Sequence, residues 1–114
     1  MSHKDWRVRI EDMLEAIERI TRYVDGMNTA AFVADPRTQD AVLRNLEVLG
    51  EAAKRIPSPI QHRHPDVPWS RITDMRNILV HEYHSVDPAI ILDAARGDLP
   101  PLVGALKAIL TEHD

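Results

Sequence analysis

Residues 6–26, WRVRIEDMLEAIERITRYVDG, place Trp6, Ile10, Met13, Ile17, Ile20 and Val24 at alternating steps of four and three. That spacing draws one apolar stripe along a helix of about five turns. On the opposite side Glu15 precedes Arg19 by four residues and Glu18 precedes Arg22 by four, the arrangement of a solvated face laced by ion pairs. Asp25-Gly26 predicts the end of the helix, because glycine accepts the left-handed conformation found just past many helix ends.

Working outward, a short helical turn is expected over Asn28–Val33. Asp35-Pro36 then pairs an N-cap residue with a proline at the first helical position, where its missing N–H costs nothing. Leu43, Leu46, Leu49, Ala53 and Ile56 form the buried stripe of this next helix, and Pro57 and Pro59 close it near Arg55. Gly50 in its interior marks close packing against a neighbour. Pro57–Pro68 carries four prolines and two histidines, which reads as a loop with at most one helical turn. A further helix is expected from Pro68 to Tyr83. Asp87-Pro88 opens a segment that Gly97 interrupts, and Asp98 is expected to cap a last helix over Leu99–Leu110. Nothing alternates with period two over five residues, so no sheet is predicted. The fold class is all-α: a four-helix-type bundle with additional short helices, residues 1–114 forming one domain.

The 114 residues are 44% hydrophobic and 28% charged, an ordinary globular balance, and none is cysteine. A disulfide scaffold, a cysteine-held zinc site and thiol catalysis are thereby excluded. No run approaches the ~18 apolar residues of a membrane span, and Met1–Asp12 is charged rather than an apolar signal region, so a cytoplasmic location is expected. The net charge of −4 speaks against coating nucleic acid by bulk charge. Residues 52–84 are the local exception: they hold Lys54, Arg55, Arg63, Arg71 and Arg76 against Asp66, Asp74 and Glu82, and four of the six histidines.

Within that segment the helix Pro68–Tyr83 has two sides. With Arg76 at zero and about 100° per residue, Ile72, Met75, Ile78 and Leu79 fall between about 200° and 320° and are the expected core arc. Arg76, Val80, His84, Asn77 and His81 fall between zero and about 140° on the same count. An arc with an arginine, an amide and two histidines suits a phosphate: arginine offers a fork of donors, and an imidazole moves protons near neutral pH.

The run Met75-Arg76-Asn77-Ile78-Leu79-Val80-His81-Glu82-Tyr83 resembles the signature of the HepT-like toxins of the HEPN superfamily, helical ribonucleases partnered by a minimal nucleotidyltransferase antitoxin. Leu49-Gly50-Glu51-Ala52-Ala53, Ile56-Pro57, Val67-Pro68-Trp69 and Asp98-Leu99-Pro100 are similar to that family's segments in the same order, so the likeness runs from about residue 40 to 103. The resemblance implies metal-independent endoribonuclease activity on tRNA or mRNA, in which the RNA's own 2′-hydroxyl attacks phosphorus. It implies His81 as general acid or base, Arg76 as stabiliser of the transition-state charge and Asn77 as a phosphate ligand. It further implies a homodimer whose paired helices enclose the RNA, no cofactor, and Tyr83 as acceptor of AMP from the antitoxin. Two positions depart from the family pattern. Asp74 stands where a small residue is usual, placed to orient His81 or to repel RNA, and His84 replaces an aromatic residue and is a candidate auxiliary group.

Blander readings stand beside these. Arg76 and His81 alone would fit a surface ion pair and a half-buried histidine, and Tyr83 at the arc's border fits simple packing. His81, His84, His62 and His64 make a zinc-like cluster conceivable, although His-Glu-Tyr-His is one residue short of the His-Glu-x-x-His motif and no metal is assigned. His3 and His113 read as solvated terminal residues, and Trp69 as a core or interface anchor. The alternative function is a catalytically silent helical module that docks on a nucleotidyltransferase.

Overall fold

Helix α1 (Asp5–Val24) buries Ile10, Met13, Ile17, Ile20 and Val24, with Trp6 packed at the edge of the core. These are the stripe residues, and Gly26 follows with φ of 75°, the left-handed conformation that ends the helix. The computed structural model describes residues 5–82 and 85–113. Within them α2 (Thr29–Val33) is capped by the Asn28 side chain, which accepts from the Ala31 N–H at 2.8 Å. Helix α3 (Pro36–Lys54) is capped by Asp35, whose carboxylate accepts from the Thr38 N–H at 3.1 Å and the Thr38 hydroxyl at 2.7 Å. The Thr38 hydroxyl above all, and then its N–H, hold the Asp35 carboxyl below the ordinary aspartate value of 3.8.

The two longest helices, α1 and α3, pack along each other, and α5 (Trp69–Glu82) lies along α3. Helix α7 (Pro100–Glu112) covers α1. One continuous cluster joins all four, with Phe32, Leu46, Leu49, Leu92, Leu99 and Leu106 among its fully buried members. The described residues contain no strand, and no helix among them is long and apolar enough to cross a membrane.

Three sequence expectations need correction. The Pro57–Pro68 stretch holds more than one turn: α4 runs over Ser58–Arg63, because Pro57 and Pro59 occupy its cap and first turn, where no intrahelical N–H is needed. The Gln61 amide also ties it to the end of α3, donating to the Ile56 carbonyl at 3.0 Å. Asp98 does not cap α7. Helix α6 (Pro88–Asp93) passes into a π-helical turn over Ala94–Asp98, Leu99 stays in helical conformation, and no side chain caps α7. The third correction is Ile78, expected in the core and found 49% exposed.

Candidate active site

The position of Arg76 starts at Gly50. A Cβ at Gly50 would stand 2.2 Å from the Arg76 Cβ and 2.8 Å from its Cγ, so the missing side chain is what lets α5 approach α3 there. This close approach turns α5 relative to the arc read from periodicity. The buried side of α5 runs through Trp69, Ile72 and Leu79, with Arg76 half-buried at its border. Ile78, on the far side of that arc, is left in solvent, and Val80 is 44% exposed.

Thus seated, the Arg76 side chain is 28% exposed and its guanidinium lies between two partners. Its Nη2 is 3.4 Å from Glu51 Oε2, and its Nη1 donates to Asn77 Oδ1 at 3.1 Å. Glu51 is shared: its other carboxylate oxygen is 3.4 Å from the Arg55 guanidinium. Two guanidinium groups on one carboxylate leave the trio with one net positive charge. Beside it a groove of about 280 Å³ is lined by Arg9, Arg44 and Arg76 together with Asp12, Glu47 and Glu51. Each of these arginines stands within 4 Å of an acid, at 3.7, 3.8 and 3.4 Å, so the groove is charge-balanced rather than uniformly basic.

Asn77 and His81 are both exposed on the open side of α5, His81 in its last turn. Arg76 and Asn77 are therefore brought into contact, whereas no hydrogen bond joins His81 to either among the described residues. Five residues along a helix separate Arg76 from His81 by about 7.5 Å of rise and about 140° of rotation, so one helix cannot close both around a single phosphate. Asp74 is exposed two turns before His81 and lines an apolar groove of about 300 Å³ with Met75, Ile78, Val86 and Ile90. Tyr83 and His84 lie outside the described residues.

The zinc-like grouping of His81 with His64 does not form. His64 sits at the N-terminal end of α5, its carbonyl accepting the Trp69 indole N–H at 3.0 Å, and His81 is about 18 Å further along the helix axis. Trp69 is buried as the expected anchor. His113 is not solvated: it is half-buried, edge-on to Trp6 with ring centroids 5.1 Å apart, and bonded to His64.

Glu51 and Arg55 are the site residues that sequence reasoning missed as functional. Their i, i+4 spacing is legible in the chain, but the third member, Arg76, joins them only by packing of α5 on α3.

The family model described as ribonuclease HepT-like matches residues 13–109. The chain belongs to this family. A protein of Thermococcus cleftensis whose name reads "Probable ribonuclease HepT" is 38% identical over 108 residues, covering 95% of this chain and 96% of the relative. A Caldanaerobacter subterraneus subsp. tengcongensis protein with "Putative RNase" in its name is 36% identical over 107 residues, covering 94% of this chain and 96% of the relative. A Methanocaldococcus jannaschii protein whose name reads "Gamma-glutamylcyclotransferase and putative RNase" is 32% identical over 97% of this chain, which spans 50% of that protein. Among solved structures there is no significant match.

Proposed function

We propose that the chain is a metal-independent endoribonuclease, the toxin of a pair with a minimal nucleotidyltransferase antitoxin, acting in the cytoplasm on tRNA or mRNA. The observation that carries the reading is the fixed Arg76: Gly50 sets its backbone, Glu51 and Asn77 hold its guanidinium, and it borders the exposed face that carries His81.

The RNA supplies the nucleophile. One imidazole, from His81, takes the proton of the 2′-hydroxyl as the 2′-oxygen bonds to phosphorus; the phosphorus–5′-oxygen bond breaks and the leaving oxygen takes a proton from water, the imidazolium returning its own to solvent. The products are a 2′,3′-cyclic phosphate and a 5′-hydroxyl. The pentacoordinate transition state carries an additional negative charge, which the forked donors of Arg76 meet, with the Asn77 amide as a further donor. Arg55 keeps the Glu51 carboxylate partnered when Arg76 turns to phosphate.

The enclosure comes from a second copy. A two-fold axis beside α5 sets His81 and Arg76 of one protomer across from those of the other. The exposed Ile78 and Val80, which bracket the polar face, are the apolar residues such an interface would cover. Tyr83 is the proposed AMP acceptor, where the added phosphodiester charge and base would compete with RNA for Arg76.

The test is cleavage of total RNA in EDTA by wild type, His81→Ala and Arg76→Lys. Wild type cuts, His81→Ala does not, and Arg76→Lys loses at least tenfold because an ammonium lacks the bidentate fork. Full activity in His81→Ala would overturn the assignment. Co-expression with the cognate nucleotidyltransferase should add roughly 329 Da per AMP to the intact mass, and Tyr83→Phe should abolish the gain. A neutralised but unmodified chain would favour the docking-module reading of the partnership.

A further inference from the structure

At the other end of α5 lies a second cluster that the ribonuclease reading does not use. His64 follows α4, Glu112 ends α7, and His113 follows it. The Nε2 atoms of His64 and His113 are 3.0 Å apart, and His64 Nε2 is 3.6 Å from Glu112 Oε2. One ligand atom from each of the three residues lies within 4.8 Å of the other two, the one such grouping of three among the described residues.

Both imidazoles are held in place before any ligand arrives. His64 is 8% exposed, and the loop around it is fixed by the Trp69 indole bonding its carbonyl. His113 packs edge-on against Trp6. Glu112 is oriented as well: Arg63 Nη2 is 3.3 Å from its Oε1, which leaves Oε2 turned to the histidines. Outer partners that aim a ligand in this way are what metal sites use to fix geometry.

Without a metal, an Nε2–H on one ring can donate to the Nε2 of the other across the 3.0 Å contact; with each ring's proton moved to Nδ1, both nitrogens and the Glu112 oxygen turn lone pairs to the same point. A divalent cation satisfies all three at once, and it needs only that each ring carry its proton on Nδ1. Zinc–nitrogen bonds of about 2.0–2.1 Å at tetrahedral angles separate ligand atoms by about 3.3 Å, between the 3.0 and 3.6 Å of the two pairs that His64 makes, while the third pair, within 4.8 Å, closes by rotation of the exposed Glu112 side chain. Two histidines and a carboxylate form a borderline donor set suited to zinc, with a fourth position open to water on the exposed Glu112 side.

We infer that His64, Glu112 and His113 form a binding site for a divalent transition metal, zinc by preference, which staples the end of α7 to the segment leading into α5. Because the site stands at the end of α5 opposite to His81, it takes no part in RNA cleavage and does not depend on that reading.

Isothermal titration of tag-free, EDTA-treated protein with zinc sulfate tests it, beside thermal melts. The expected result is one zinc per chain and, at a hundred times the Kd, a roughly hundredfold gain in the folding equilibrium, or a Tm rise of about 10 °C. His113→Ala should abolish the one-to-one binding and Glu112→Gln should weaken it at least tenfold, Glu112→Gln keeping the shape of the side chain at an exposed position. His62→Ala and His81→Ala should bind as wild type does. Absence of saturable binding in wild type, equal binding in both His113→Ala and Glu112→Gln, or loss of binding in His81→Ala would overturn the site.

Discussion

Gly50→Ala should damage stability and catalysis together. The new Cβ would lie 2.2 Å from the Arg76 Cβ and 3.2 Å from the Ile72 carbonyl, whereas carbon atoms pack comfortably at about 3.5–4.0 Å. A main-chain-proximal atom cannot swing aside, so α5 has to move from α3 by more than about 1 Å. Alanine in a helix interior gains about 1 kcal/mol over glycine, while overpacking a close contact costs about 1–3 kcal/mol. A contact as short as 2.2 Å stands at the upper end of that cost, so the clash wins, and the net loss of up to about 2 kcal/mol lowers Tm by up to roughly 8 °C. The same displacement carries the Arg76 guanidinium away from Glu51, and a 1 Å misplacement at a reacting centre costs up to about a hundredfold in rate. Gly104→Ala is the internal control: it sits inside α7 with open space around its would-be Cβ. That variant should gain about 0.4–1 kcal/mol and keep full activity. Circular dichroism melts and RNA cleavage in EDTA read both variants. If Gly50→Ala melts above wild type as Gly104→Ala does, and still cuts RNA, the seating of Arg76 on Gly50 is refuted.

Ile78→Asp should leave the fold intact, since the side chain is already 49% exposed, yet, if the proposed dimer forms across α5, shift the protein to monomer in light scattering and abolish cleavage with it. A monomeric variant with full activity would contradict the two-helix site. Asp35→Asn keeps an N-cap but removes a carboxyl whose folded value is depressed by Thr38. The stability wild type holds over this variant should therefore be present above pH 3.8 and be lost as pH falls through the lower folded value, which urea melts at several pH values would reveal. An unchanged difference down to the most acidic pH would contradict the depressed value.

The sequence by itself determined what is local along the chain. Helix stripes follow from the 3.6-residue period, and the caps at Asp35 and Asp87 and the stop at Gly26 follow from hydrogen bonding and backbone freedom within one turn. Gly50 announced a close approach without saying what approaches. The centre of the buried arc of α5 was set instead by its neighbours. Ile78 has the hydropathy and the spacing of a core residue, but α3 presses on the side of Trp69, Ile72 and Arg76, and Ile78 is turned outward. Tertiary packing alone also joined Glu51 to Arg76, and His64 to His113 across 49 residues of sequence. The physical reason is range. Periodicity and capping are decided within a few residues, whereas ion pairs and ligand clusters between helices depend on the rotation and depth at which each helix seats, which no single segment encodes.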